Sequence, residues 1–420
     1  MAWFLLFIPL VLVLLGLPVF VGLLAAAAVG IVVIMDVPGM AVHQYLFASL
    51  DKSALLAIPF FLFAGELMAR GTQAHKLMDW AGAGMGRLPG STGVATVGAS
   101  TFFGAISGSS VATVGAIGRI SHGRMLEEGY DTPFAQALIA SSAAIASVIP
   151  PSIAMILYGI AAEESAAELF IAGIIPGFVL ALCLALYIAW RAGRRTAGEA
   201  FSLRRLLRAT RRAWLALGMP VVVLGGIYLG ILSPTEAAGA ACAYAILVTL
   251  FAEPSLRLAD LWQSAVRAMH LTAQTLVIVA ASGVFAWMLT VNGIPQALAG
   301  WLTELPVPGW VLLIAINLLL LVVGCFMDTA SAILVMTPLL LPIAVALGVD
   351  PVHFGIIMTL NLSIGMFTPP IGLNIFIVQG LFRGNLPALY RALLPFIAVS
   401  LVALLLVTFI PSLSLWLVGR

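Results

Sequence analysis

Four short groupings in this chain could hold an ion or an acid inside a membrane. They are the cluster Ser107-Gly108-Ser109-Ser110, the pair Asp328-Thr329, and two proline pairs, Pro150-Pro151 in SVIPPSIAMILYG and Pro369-Pro370 in GMFTPPIGLNIF. A sodium ion needs several oxygens, and a membrane protein supplies them from unwound backbone carbonyls, hydroxyls and an occasional carboxylate. A proline inside a helix removes a backbone donor and clashes with the preceding turn, at about 3 kcal/mol, so two in a row must unwind it. In hydrocarbon the freed carbonyls need another partner, and such a break persists only where it lines a polar cavity or a bound ion. The expected cation ligands are therefore Ser107, Gly108, Ser109 and Ser110 opposite Ile149 and Pro150, and Asp328 and Thr329 opposite Thr368, Pro369 and Pro370. Half-helix N-termini at the same breaks leave N–H groups that suit a carboxylate, with Ser110, Ser152, Thr329 and Asn374 the polar groups expected to meet it. Cation and anion sites side by side couple a sodium gradient to uptake of an acid.

The elements that must carry these groups are membrane helices. The 420 residues are 62% hydrophobic and 9% charged, against roughly 25% charged in a soluble domain. The charge-free runs Met1–Met35, Thr132–Ala162, Leu169–Trp190, Ala268–Thr303 and Pro351–Phe382 each reach spanning length. An all-α polytopic membrane protein is expected. Eight arginines between Arg191 and Arg212 put that segment in the cytoplasm, as a helix lying on the inner membrane surface. A basic stripe also suits nucleic acid, but between two spans no nucleic-acid partner is expected. Counting outward from this segment leaves nearly every arginine inside, Arg420 excepted, and both termini outside. Met1–Met35 has no basic flank and breaks at Gly16-Leu17-Pro18, so two spans are expected there rather than a cleaved signal peptide. Cys183, Cys242 and Cys325 sit in apolar runs without CxxC spacing, as small buried apolar residues.

Two segments resist being single spans. Residues 92–118 are broken by Ser107–Ser110 into arms of about a dozen residues, too short to cross the core, with basic residues at both ends. A re-entrant helical hairpin fits. Residues 308–347 carry Asp328, the only charge between Glu304 and Asp350, and fit a second hairpin entering from the opposite face. Each half is then about five spans plus one re-entrant hairpin. A first repeat, 1–190, has its broken helix at 134–162; a basic connector, 191–212, follows; a second repeat, 213–412, has its broken helix at 352–382. The odd number of crossings inverts the second repeat. One offset, 219 (369 − 150), superimposes Pro150 on Pro369, Gly129 on Gly348, Asp131 on Asp350 and Ser109-Ser110 on Asp328-Thr329.

Not every polar or small residue belongs to a site. Serine and glycine in membrane helices mostly serve close packing, which is the reading for Gly104-x-x-x-Gly108 and Gly226-x-x-x-Gly230. Asp328 differs, because an ionisable group in a span is costly and usually functional. Glu66, in FLFAGELMAR near the inner end of its span, stands evenly between a site acid and a side chain reaching the interface. Glu236 after Ser-Pro is an ordinary helix N-terminal acid, and His43, His75, His122, His270 and His353 fall at span ends, an interfacial placement without metal-ligand spacing. The two lysines, Lys52 and Lys76, follow no phosphate-binding glycine loop, and HExxH and GxSxG are absent. Repeated TVGYG filters are absent too, against a potassium channel. No catalytic residue is expected, and no cofactor beyond sodium as coupling ion.

At these residues the chain resembles the large membrane subunit of tripartite ATP-independent periplasmic (TRAP) transporters. The matching stretches are AIPFFLFAGELM (57–68), FFGAISGSSVATVGAIG (102–118), EEGYDTPFAQALIASSAAIASVIPPSIAMILYG (127–159), LFIAGIIPG (169–177), and MDTASAILVMTPLLLPIA through MFTPPIGLNIF (327–376). The resemblance implies an elevator-type transporter of a bacterial inner membrane, in which a transport domain built on the hairpins and broken helices moves against a scaffold. It implies a sodium gradient as driving force, a small four-helix membrane subunit as a separate chain, and a periplasmic binding protein that delivers an organic acid. It also pairs Ser107–Ser110 with Ile149–Ser152, and Asp328-Thr329 with Thr368–Pro370, as sodium sites. Where many relatives carry an acid near the end of the first tip, this chain has Thr113. Two other readings remain: a sodium–dicarboxylate symporter or sodium–proton antiporter of related architecture working without a binding protein, and a non-transporting assembly subunit, for which polar tips would be unnecessary.

Overall fold

A computed structural model describes residues 8–9, 11–12, 15–192, 200–253, 257–304 and 306–420. In the first half, α1 (Val19–Ala28, continued by π-helical turns Val29–Ile34), α2 (Met40–Leu50), α3 (Ala57–Arg70) and the short α4 (Gln73–Met85) lead to a helical pair. The pair is α5 (Ser91–Ser107) and α6, which starts as Ser110–Thr113 and runs through π-helical Val114–Gly118 into Arg119–Glu127. Next come α7 (Thr132–Ala144) and α8 (Ile153–Ala162), which flank the first proline pair, and α9 (Ala166–Ala192). The second half repeats the order: α10 (Leu203–Tyr228), α11 (Pro234–Ala252), α12 (Leu258–Val291), the short α13 (Ile294–Thr303), the pair α14 (Gly309–Phe326) and α15 (Thr329–Ala346). Then α16 (Pro351–Gly365) and α17 (Leu373–Phe382) flank the second proline pair, and α18 (Leu386–Phe409) follows. The described residues contain no strand, and seven of the helices are long and apolar enough to cross a membrane.

The polarity gradient is that of a protein solvated by lipid. Phe178, Leu182 and Leu186 project outward at successive turns of α9, as Leu318, Leu319 and Val322 do from α14. Hydroxyls and amides such as Ser141, Ser142, Asn361 and Asn374 are fully enclosed. Apolar side chains outside and hydrogen-bonded polar groups inside are what hydrocarbon selects.

The offset seen in the sequence reappears in the backbone. Gly129 and Gly348 both adopt φ +80°. Asp131 and Asp350 both precede helices opened by a proline. Both Pro-Pro bonds are cis. The two interrupted crossings run antiparallel: Tyr158 near the end of α8 donates to Pro351 O at the start of α16 (2.6 Å), while Phe382 at the end of α17 stacks on His122 (4.1 Å) and Gly384 meets Gln136 of α7.

Several expectations are corrected. The arms of the first hairpin are not about a dozen residues long; α5 alone has 17, because only Gly108 and Ser109 leave the helix and Ser109 caps the next one. Each arm of the second hairpin has 18 residues. Arg119 and Arg124, among the basic residues past the first hairpin, lie within α6. Arg267 lies within α12, a single helix of 34 residues that Arg257 precedes. The described part of 191–212 is no detached surface helix either, since Leu203 onward is continuous with α10; residues 193–199 of that segment, like much of 1–14, lie outside the described residues. Gly226 packs on Leu232 of its own turn and Gly230, at φ +69°, ends the helix, so this pair is not a helix-packing motif. His353 is buried rather than interfacial, Nδ1 3.1 Å from Ser414 Oγ and Nε2 3.3 Å from Thr408 O. The short helices α2, α4 and α13 had no counterpart in the sequence reading.

Other expectations hold. Glu236 and Ser233 form a reciprocal cap, Ser233 N–H donating to Glu236 Oε2 (2.8 Å) and Glu236 N–H to Ser233 Oγ (3.3 Å). Gly104 does pack closely, a Cβ there falling 2.6 Å from Ala146 Cα. Arg420 pairs with Glu168 (2.6 Å) and Asp350 (3.2 Å).

Candidate functional site

Both helical turns are built against the break of their own half by residues without side chains. At the first, Gly108 takes φ +58° and a Cβ would lie 2.6 Å from Pro151 O, so any other residue would push the tip off the break. At the second, Gly372 N–H donates to Cys325 O (2.9 Å), and Gly324 and Gly365 meet backbone to backbone, a Cβ on Gly365 falling 2.5 Å from Gly324 Cα. Each return arm opens on a side-chain cap. Ser109 Oγ accepts from Ala112 N–H (3.4 Å). Asp328 Oδ2 accepts from Ser331 N–H (3.0 Å), and its Oδ1 from the Ser331 hydroxyl (2.5 Å). Ser109 and Asp328, aligned by the offset of 219, thus share one structural duty.

The two tips face one cavity of about 500 Å³. Ser107 to Ser110 and Asp328 to Thr329 lie on its wall, with Ser147 and Ile153 before and after the first break, and Met366 and Ile371 around the second. The opposite wall is the middle of α12, including Leu271, Gln274 and Thr275, and the rim carries Glu66 of α3. At the first tip three oxygens converge: Thr113 Oγ1 is 2.9 Å from Ser109 O, and Ser107 Oγ is 3.4 Å from Ser109 O and 3.5 Å from Thr113 Oγ1. Thr113 and Ser107 are fully buried.

The remaining candidates stand behind this wall. Ile149, Pro150, Thr368, Pro369, Pro370, Ser152 and Asn374 do not line the cavity. Ser152 Oγ is used locally, donating to Ser147 O (2.5 Å) and capping α8. Thr368 donates to Ile364 O (2.8 Å), and Thr329 to Met366 Sδ (3.0 Å). Buried Asn374 donates through Nδ2 to Ser110 Oγ (2.7 Å) and Ala140 O (2.9 Å).

Glu66, Gln274 and Thr275 were not among the expected site residues. Glu66 lines the cavity, and its Oε1 pairs with Arg70 Nε and Arg267 Nη1, each at 3.3 Å. Adjacent Gln274 and Thr275 in an otherwise apolar span were the available signal. The wall includes two carboxylates and no lysine, arginine or histidine. The described residues hold no group of three His, Cys, Asp or Glu side chains able to bind a metal, and the tips offer a cation hydroxyl and carbonyl oxygens together with the Asp328 carboxylate.

The sequence profile of the family described as "Tripartite ATP-independent periplasmic transporter, DctM component" matches residues 6–413. The chain is 41% identical over 372 residues to the C4-dicarboxylate TRAP transporter large permease protein DctM of Pseudomonas aeruginosa, covering 88% of this chain and 87% of that one. It is 38% identical to the ectoine TRAP transporter large permease protein TeaC of Halomonas elongata, covering 97% and 96%. It is 39% identical to the isethionate TRAP transporter permease protein DctMQ of Oleidesulfovibrio alaskensis, covering 96% of this chain but spanning only 64% of that longer protein. Among solved structures, the Neisseria gonorrhoeae MtrF efflux pump shares the fold with a TM-score of 0.60 at 14% identity, covering 100% and 98%. The Alcanivorax borkumensis YdaH transporter does so at 0.59 and 17%, covering 88% of each.

Proposed function

The chain belongs to the DctM component family of the tripartite ATP-independent periplasmic transporters, and we propose that it is the sodium-coupled permease of such a system, importing an organic acid. It is a multi-pass membrane protein of large-permease type, and its named relatives are transporter subunits rather than enzymes. A tripartite system implies two further components, a small membrane subunit and a periplasmic binding protein that delivers the substrate.

The observation that carries the proposal is the charge of the shared cavity: its described lining residues include the Asp328 carboxylate and no cationic side chain, while Glu66 is already paired with Arg70 and Arg267. An organic anion about 4 Å from one carboxylate is repelled by roughly 4 kcal/mol at an effective dielectric of about 20. A helix N-terminus offsets only about 1 kcal/mol, or about 2 in the best partly buried geometry. Bound sodium closes that gap. The oxygens of Ser107, Ser109 and Thr113 form one candidate nest, and Asp328 with Thr329 beside the second break forms the other. Relatives named for C4-dicarboxylate, ectoine and sialic acid support a carboxylate-bearing substrate.

The antiparallel interrupted crossings and the matched backbone features support two inverted repeats, and the glycine contacts support tips and breaks travelling together as the moving body of an elevator. The ion pair of Arg420 with Glu168 and Asp350, against the arginine-rich start of α10, supports periplasmic termini and a bacterial inner-membrane location. Uptake of candidate acids into proteoliposomes containing this chain, the small subunit and the cognate binding protein tests the reading. It should require inward-directed sodium and the binding protein; equal uptake in potassium, or full transport of free substrate, refutes it.

A further inference from the structure

A second cavity, of about 760 Å³, lies between the start of α10, α4, the start of α5 and the end of α6, at the ends of that pair opposite its tip. Its wall carries six cationic side chains, Lys76, Arg124, Arg204, Arg205, Arg208 and Arg212, against two acids, Asp79 and Glu128. The acids are already engaged. Asp79 Oδ1 pairs with Arg124 Nη2 at 2.7 Å, and Glu128 Oε1 accepts from Thr92 Oγ1 at 2.5 Å. Lys76 is held by Glu253 at 3.1 Å. Arg204, Arg208 and Arg212, at successive turns of one face of α10, form no ion pair with a carboxylate among the described residues. Trp80 Nε1–H donates to Thr210 Oγ1 (3.1 Å) and fixes this end of α10 on α4. Arg204, Arg208 and Arg212 are exposed, so their guanidinium groups are open to a ligand that enters the cavity.

We infer that this cavity binds the phosphodiester headgroup of an anionic membrane lipid, Arg204, Arg208 and Arg212 supplying the charge. Planar guanidinium groups match phosphate oxygens geometrically, and basic pockets between helices at the cytoplasmic face suit such headgroups. A lipid fits better than free phosphate because apolar side chains stand beside the arginines. Phe201, Leu203, Leu207 and Trp214 are all more than half exposed, an unusual cost unless acyl chains cover them. Burial pushes the Glu128 carboxyl above its ordinary range, against smaller opposing effects of Thr92 and Arg124.

The test uses the full chain, delipidated in neutral detergent, with thermal stability and native mass spectrometry as readouts. Phosphatidylglycerol should bind and raise the melting temperature, whereas phosphatidylcholine and inorganic phosphate should not. Removing one cavity arginine, Arg208→Gln, should weaken phosphatidylglycerol on the order of fivefold. Arg211→Gln removes the same charge from the same helix but not from the cavity wall, and should leave binding unchanged. Equal losses from the two variants would mean diffuse surface attraction and overturn the site. Stabilisation by inorganic phosphate alone would overturn the lipid, and no phosphatidylglycerol binding together with loss of small-subunit copurification in R208Q would make the cavity a protein interface instead.

Discussion

Asn374 of α17 and Ser110 at the first tip exchange two hydrogen bonds, Nδ2 to Oγ at 2.7 Å and Oγ to Oδ1 at 3.0 Å. The second half's interrupted crossing is thereby tied to the first half's helical turn, 264 residues away. A third bond, from Nδ2 to Ala140 O, anchors the same amide to α7. The two candidate ion sites are therefore mechanically linked, not independent.

That link sets the first expectation. Asn374→Ala leaves the buried Ser110 Oγ without its Asn374 partner and removes a second bond to the helical Ala140 O, and should cost about 1–3 kcal/mol. Ser110→Ala should cost less, because the Asn374 amide keeps its bond to Ala140 O. A double-mutant cycle followed by thermal melting should show coupling of about 0.5 kcal/mol or more; strict additivity would mean that the contact carries no energy.

Asp328 has two duties that substitution can separate. Asp328→Asn keeps an oxygen to cap α15 but removes the charge, so melting should be unchanged while the sodium concentration for half-maximal uptake rises. Asp328→Ala should lose the cap as well, about 1 kcal/mol. An unaltered sodium response in Asp328→Asn proteoliposomes would confine this residue to capping.

Glu253, 3% exposed at the end of α11, accepts from the Thr72 hydroxyl (2.7 Å), Thr72 N–H (3.2 Å) and Lys76 (3.1 Å). Burial pushes its carboxyl up, but these partners together outweigh burial and hold it below the ordinary glutamate range. A depressed carboxylate stabilises the fold fully above its unfolded value, and that contribution is lost as pH falls through the folded one. Melting temperature should thus drop on acidification below the ordinary glutamate range. In Glu253→Gln that slope should flatten, and the neutral-pH stability should fall on the order of 1–3 kcal/mol.

Glycine contacts give a steric test with an internal control. A Cβ at Gly365 would lie 2.5 Å from Gly324, backbone against backbone, so Gly365→Ala must separate α14 from α16 and should lower both stability and uptake. At Gly380, inside α17, a Cβ meets nothing within 4 Å. Gly380→Ala should be neutral or stabilise by about 0.5–1 kcal/mol through the lower entropy of the unfolded chain. Equal behaviour of the two in melting and uptake assays would contradict the close-packing account.

Much of this architecture was legible in the order of residues, because a bilayer leaves so few options. Apolar runs of spanning length must be helices, a proline pair must interrupt one, and arginines must stay on one side. Hence the broken crossings, the tips at Ser107–Ser110 and Asp328-Thr329, and the offset joining them could be read without coordinates. Three-dimensional packing decided the rest. That Gln274, Thr275 and Glu66 complete the cavity depends on α12 and α3 lying opposite the tips, and nothing local encodes that. Whether a polar side chain faces the cavity or serves the fold also depended on neighbours distant in sequence: Asn374 is committed to Ser110 and Ala140, and Ser152 to capping α8. Local composition limits which groups can bind, but the free lone pairs of each group are fixed only once its partners arrive from elsewhere in the chain.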